Sequence, residues 1–248
     1  MLSAAMLPAL LLAAASAMIA YGWWRGRSLA GWIAGRLRGG SRSRSRATFG
    51  WAAGIAVMYG ATSLAALALL GRPDALTILP VELRDARAQL GIAPIAGEAL
   101  WETGAAISAG FALGALFVVV AAWRGWRPLG PSYRSPAMAA TRGEVGAALL
   151  LSAAAGIGEE LFFRIAVPLL AALVCGNGVI GCVVGWALFT LAHRYQGRGG
   201  MAAVSLVGAV LAWLYLATGA LWIVALLHAL VDANALIVRP WLDRRLRK

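Results

Sequence analysis

Only two histidines, His193 and His228, and ten acidic residues occur in this 248-residue chain. Both histidines, with Glu159, Glu160 and Asp232, fall inside or at the ends of long apolar stretches. An ionised side chain at the centre of a bilayer costs about 3 kcal/mol or more, so such groups normally face a protein interior or a water-filled cavity and mark a site. The first cluster is Gly156-Ile-Gly158-Glu159-Glu160-Leu-Phe-Phe163-Arg164. Glu160 and Arg164 share a helix face, with the acid N-terminal to the base, the favourable order for an ion pair. Glu159 points roughly 100° away round the helix and is left free to accept a proton. Gly156 and Gly158 permit close backbone approach or a local kink, and with no strand before them they do not make a nucleotide loop. The second cluster places Phe189 one helical turn from His193, and the third places His228 one turn from Asp232.

Each cluster has a bland reading. Glu159, Glu160 and Arg164 can be an ion-paired packing device, His193 an interfacial residue, and His228 with Asp232 a hydrogen bond that satisfies two buried polar groups. Phe189, Tyr215 and Trp222 read as packing or interface anchors. The weight comes from all three clusters occurring in one short chain. Together they supply a base, an acid or electrophile pair and a balancing cation, the parts needed to activate water against a peptide carbonyl. No serine or cysteine is placed as a nucleophile. Cys175 and Cys182 flank Gly176-Asn177-Gly178 and match no metal or redox spacing; they read as small packing residues, with a disulfide as the lesser alternative.

The elements that must position these groups are apolar helices. Hydrophobic residues make up 61% of the chain and charged ones 13%, against about 25% charged in a soluble domain, and the mean hydropathy is +0.78. Apolar runs cover about 2–22, 48–71, 99–123, 145–172, 178–193, 201–217 and 220–238, near the roughly 20 residues that cross about 30 Å of hydrocarbon. The expected fold is an all-α, polytopic membrane helical bundle of about seven transmembrane helices. Residues 1–144 would form N-terminal helices with basic cytoplasmic loops, 145–238 a catalytic core, and 239–248 a basic tail. No internal repeat is visible.

The net charge of +12 sits in connectors between apolar runs, which sets membrane orientation and makes nucleic acid an unsuitable partner. The connector Arg25 to Arg46 holds seven arginines and ends in Ser41-Arg-Ser-Arg-Ser-Arg46. It reads as a solvated, flexible strip at the inner leaflet. Connector 72–98 is mixed in sign and reads as outside; connector 124–144 and the tail are basic. The expectation is a multi-pass protein of the cell membrane, N-terminus outside and C-terminus cytoplasmic. Met1 to Ala20 has the apolar core of a signal peptide but lacks a positive start, and reads as a retained first helix.

In order and on successive helices, Glu159-Glu160-x-x-x-Arg164, Phe189-x-x-x-His193 and His228-x-x-x-Asp232 closely resemble the CAAX prenyl endopeptidase and bacteriocin-processing family of intramembrane proteases. The resemblance spans about 145–238 and includes the run Leu214 to Trp222 before His228. It implies a helical membrane fold with a site inside the bilayer, open to the cytoplasm, that cuts a membrane-associated peptide or protein. By the same resemblance Glu159 is implied as the base that activates water, with His193 assisting. Glu160 and Arg164 would order the site, and His228 with Asp232 would serve the oxyanion side.

One departure concerns Asp232, where some members carry asparagine. An ionised carboxylate repels an oxyanion, so Asp232 must be protonated, orient His228 or help hold a cation. No cofactor is certain. The family has been described both as metalloproteases and as metal-independent glutamate proteases, and histidines with acids leave a divalent metal such as zinc open, although no His-Glu-x-x-His helix occurs. Membrane lipid and a membrane-associated peptide or protein are the expected partners, and nothing in the sequence selects prenylated substrates. Two other readings stand beside the peptidase: a non-catalytic membrane peptide-binding or immunity protein, and a proton-coupled transporter.

The run boundaries carry a conflict. Glu159 would lie about 20 Å from the inner end of its span and His193 close to that end. A tilted or kinked fourth helix continuing toward Val174, with Pro168 inside it, removes the conflict.

Overall fold

Residues 6–37, 40–124, 135 and 137–246 are described by a computed structural model, and among them there is helix but no strand. The chain runs through α1 (Met6–Leu37), α2 (Ser41–Ile55), a π-helical turn (Ala56–Ala61), α3 (Thr62–Leu69), α4 (Val81–Gln89) and α5 (Glu98–Trp123). It continues through α6 (Val145–Glu160), a second π-turn (Leu161–Ala166), α7 (Val167–Cys175), α8 (Gly178–Ala192) and α9 (Gly197–Thr218). It ends with α10 (Leu221–Ala233), a third π-turn (Asn234–Val238) and α11 (Arg239–Leu246). Every apolar run of the sequence is helical where described. Three helices, Ser41–Leu69, Arg194–Thr218 and Leu221–Leu242, are long and apolar enough to cross a membrane, and Met6–Gly22 and Gly178–Ala192 are shorter apolar helices. Leu113, Phe117, Val183, Leu206 and Trp213 are exposed, an apolar exterior that water would not tolerate. The chain is an all-α membrane protein.

The 145–175 rod is the axis of the fold. α10 and α2 pack along its first half, and α8 and α1 along its second. Small residues set how closely they approach. At Gly156 an added Cβ would sit 2.5 Å from the Ala225 carbonyl oxygen, so α6 and α10 touch backbone to backbone. Gly158 faces the other way, toward Ile55 and Gly60. On α8, Gly181 and Gly185 press against Pro168, and Gly185 also against the Phe163 carbonyl.

The reversal between α7 and α8 is tight for local reasons. Gly176 takes φ +65°, the left-handed cap that glycine adopts without strain. The Asn177 side chain then accepts from the N–H groups of Val179 and Ile180 at 2.8 and 3.1 Å, capping α8. α8 therefore doubles back along α7, and its 15 residues return about 22 Å, to the level of Glu160. The fourth helix continues to Cys175 through a π-turn: Pro168 lies in the first turn of α7, and the π-turn before it opens the helix where the proline ring would strike a carbonyl.

One connector differs from expectation, and another holds a short helix. The Ser41–Arg46 run, expected as a flexible strip, forms the opening of α2. Arg44 makes an ion pair with Glu144 at 3.2 Å and donates to the Met138 carbonyl at 3.0 Å, which gives that end of the helix a fixed partner. Connector 72–98 holds the short helix α4, whose Leu83 and Ala86 are buried. It caps one end of the bundle, with Glu82 held by Arg72 through two hydrogen bonds of 3.0 and 3.2 Å and the Gly178 backbone set against the Glu82 carbonyl. Most of the basic connector before α6, including Arg127, Pro128, Pro131, Arg134 and Pro136, lies outside the described residues, as do residues 1–5 and Lys248.

Candidate active site

Glu160 is fully buried at the centre of two interactions. Its Oε1 accepts a hydrogen bond from His228 Nδ1 at 2.7 Å, and its Oε2 lies 3.0 Å from Arg164 Nε. The i,i+4 pair read from the sequence is thus present, and it reaches across to α10. The Arg164 guanidinium stacks 4.6 Å above the Phe189 ring, a cation–π contact that helps compensate a charge otherwise sealed from water. Its two terminal nitrogens have no hydrogen-bond partner among the described residues.

Glu159 points to the other side of the rod. Its Oε2 is buried without a hydrogen-bond partner and lies 3.7 Å from His193 Nε2. The other ring nitrogen of His193 lies 2.8 Å from the Phe189 carbonyl oxygen. A carbonyl only accepts, so Nδ1 carries a proton, and in the neutral imidazole Nε2 turns its lone pair toward Glu159. Two acceptors therefore face each other across a gap too long for a direct hydrogen bond. A water molecule placed about 2.8 Å from each could donate one proton to Glu159 and the other to His193, leaving an oxygen lone pair free to attack.

Phe189 organises both halves. Its ring centroid is 4.7 Å from that of His193, 5.9 Å from that of His228 and 5.4 Å from that of Phe163. Gly208 on α9 makes room for it, since a Cβ there would come within 2.7 Å of the Phe189 ring. Phe189 is a packing residue, and Tyr215 is likewise in the core, whereas Trp222 is half-exposed and rests on Trp101 at 5.9 Å. Asp232 sits at the edge of the cluster, with its Oδ2 3.8 Å from His228 Nε2 and its side chain one-third exposed; that distance is beyond a hydrogen bond. All six ionisable residues singled out in the sequence thus lie in one connected group.

Tyr59, which the sequence reading did not single out, joins them from the first π-turn. Its ring packs on Phe162 and Phe163 at 5.1 and 5.3 Å, the residues three and four after Glu159 on the same helical rod. The signal available was a Tyr59-Gly60 pair inside an apolar run.

The donors do not gather as a metal centre requires. Among the described residues no three His, Cys, Asp or Glu side chains converge to hold an ion, whereas a catalytic zinc takes three protein ligands. No step below is routed through a metal. Cys175 and Cys182 are free thiols, the first exposed and the second half-buried.

Searches of curated proteins and of solved structures return no match. Residues 141–234, which contain all six ionisable side chains of the cluster, match the family model described as type II CAAX prenyl endopeptidase Rce1-like.

Proposed function

We propose that the chain is an intramembrane endopeptidase that hydrolyses a peptide bond of a membrane-associated protein or peptide with water activated at Glu159. The observation that carries this reading is the buried Glu159 carboxylate oxygen, without a hydrogen-bond partner and 3.7 Å from His193 Nε2. A purely structural carboxylate at that depth would be expected to be paired; Glu160, its neighbour, is.

Water between Glu159 and His193 would give a proton to Glu159 as its oxygen bonds to the substrate carbonyl carbon. The carbonyl π electrons move to oxygen, forming a tetrahedral oxyanion. Collapse breaks the C–N bond, and the leaving nitrogen takes the proton held by Glu159, so one water is consumed and two peptide ends are released. In this reading Arg164 and His228 hold Glu160 between them, and that network fixes the spacing of α6 and α10 around the reacting atoms. Residues 145–238 form the catalytic core, the N-terminus faces outside and the basic C-terminal tail faces the cytoplasm.

The test is cleavage of a library of membrane-tethered peptides by the protein purified into liposomes. Wild type should cut a subset, and Glu159→Gln and His193→Ala should both lose activity, the former by about 10³-fold or more. Equal cleavage by wild type and Glu159→Gln would make the acid pair structural and overturn Glu159 as the base, and no cleavage by wild type would end the peptidase reading.

A further inference from the structure

The chemistry just proposed needs hydrogen-bond donors for the oxyanion, and on the His228 side only Nε2, 3.8 Å from Asp232 Oδ2, is left uncommitted, so a second donor has to come from elsewhere. The Nδ1–H of His228 is committed to Glu160 at 2.7 Å. Asp232 offers a carboxyl group, which when ionised has no proton to give. Arg164 is 2% exposed and covered by the Phe189 ring, so its guanidinium faces protein rather than substrate. On the α2 side of Glu159 stands Tyr59, half-buried, with a phenol that makes no hydrogen bond to any described residue.

The backbone brings Tyr59 there by construction. Gly60 and Gly158 meet with an added Cβ at Gly60 only 3.9 Å from the Gly158 Cα, so the turn bearing Tyr59 lies against the residue before Glu159. The Tyr59 ring is clamped by Phe162 and Phe163, and the π-turn Ala56–Ala61 sets it off from the regular helix on either side, a distortion that recurs at functional sites. Its main-chain carbonyl accepts from the Ser63 hydroxyl at 2.6 Å, which ties off a carbonyl that the π-turn displaces.

We propose that Tyr59 is a further catalytic residue of this chain, donating its phenolic hydrogen bond to the tetrahedral oxyanion formed when water at Glu159 attacks. The proposal rests on the peptidase reading. Tyr59 keeps its proton throughout; it only donates a hydrogen bond, strengthened as negative charge develops on the former carbonyl oxygen. A donor on the π-turn after α2 would also make the N-terminal half of the chain part of the reaction, although the matched domain begins at residue 141.

The decisive variant is Tyr59→Phe, which keeps the ring against Phe162 and Phe163 and removes only the hydroxyl. In the liposome cleavage assay its kcat should fall by about 10² to 10³-fold, with KM within twofold and the same melting temperature as wild type. A peptidyl trifluoromethyl ketone, which binds as a tetrahedral hydrate, should bind Tyr59→Phe at least tenfold more weakly, whereas an uncleavable reduced-amide peptide should bind both proteins equally. Activity of Tyr59→Phe within threefold of wild type, while Glu159→Gln is inactive, would overturn the role of Tyr59 and leave the peptidase reading standing. Equal losses for the ketone and the reduced amide would make Tyr59 a packing residue. Retained activity in Glu159→Gln would overturn both water activation at Glu159 and the role of Tyr59 that depends on it.

Discussion

Gly156 and Gly158 are two residues apart on the same helix, yet they predict opposite outcomes when given a methyl group. An ideal Cβ at Gly156 lies 2.5 Å from the Ala225 carbonyl oxygen and 2.9 Å from both the nitrogen and the Cβ of Ala229. Ordinary contact begins near 3.4 Å, so Gly156→Ala must push α10 from α6 by about 1 Å, because the nearest obstacle is backbone and cannot rotate away. That displacement acts on the 2.7 Å bond between His228 and Glu160 and takes it beyond hydrogen-bond length. Overpacking alone costs about 1–3 kcal/mol, and a misplacement of about 1 Å at reacting groups costs on the order of 10²-fold in rate. At Gly158 the nearest atoms, Gly60 N and Ile55 O, are both 3.4 Å away, so Gly158→Ala fits, and the better helix propensity of alanine offsets what strain remains by about 1 kcal/mol. Thermal unfolding in detergent and cleavage in liposomes measure the two consequences separately. Gly156→Ala should lose both stability and about 10²-fold in kcat/KM, and Gly158→Ala should stay within about threefold of wild type. Adding Ala229→Gly to Gly156→Ala should restore only part of the loss, since the Ala225 carbonyl remains. Equal effects at the two glycines, or a Gly156→Ala protein indistinguishable from wild type, would refute the idea that backbone contact at Gly156 sets the site.

Two further outcomes follow from the ion pairs. Glu160→Gln leaves the Arg164 charge buried without its counter-ion, which should cost about 3–5 kcal/mol, seen as a large fall in melting temperature. Combining it with Arg164→Met should recover much of the stability but none of the activity. Burial pushes the Glu144 carboxyl up, but the Ala140 N–H it accepts at 2.8 Å and the Arg44 guanidinium more than offset this and hold it below the usual carboxylate range. Its contribution to stability is present above about pH 4.3 and is lost as pH falls through the lowered value. Melting temperature measured from pH 7 to pH 3 should therefore fall less steeply at the acid end for Glu144→Gln than for wild type.

The chemistry was more legible in the sequence than its placement. Spacings of four fixed which residues share a helix face, and Glu160–Arg164 is an ion pair as read. What spacing could not show is that His228 bonds across to Glu160 rather than along its own helix to Asp232, because the choice depends on how closely α10 approaches at Gly156. The apparent 20 Å mismatch between Glu159 and His193 came from ending the fourth run at residue 172 and treating each run as a full crossing. The rod continues to Cys175, and α8 is a short helix that turns back from Gly176-Asn177. α4 was hidden because Val81–Gln89 is mostly polar; two buried positions, Leu83 and Ala86, suffice to dock it. The Ser41–Arg46 run looked disordered by composition, and its order comes from Glu144, about 100 residues away. Tyr59 escaped notice because an aromatic residue in an apolar helix ordinarily packs, and only the neighbouring π-turn and the approach of Gly158 distinguish it.

The central claim, that Glu159 activates water for peptide hydrolysis, is tested most directly by mass spectrometry of both product halves from a membrane-tethered peptide, with wild type and Glu159→Gln in matched liposomes. The account predicts two complementary fragments from wild type, with oxygen from labelled water in the new carboxyl end, and a rate for Glu159→Gln lower by about 10³-fold or more. Cleavage by Glu159→Gln at a rate close to wild type would contradict it.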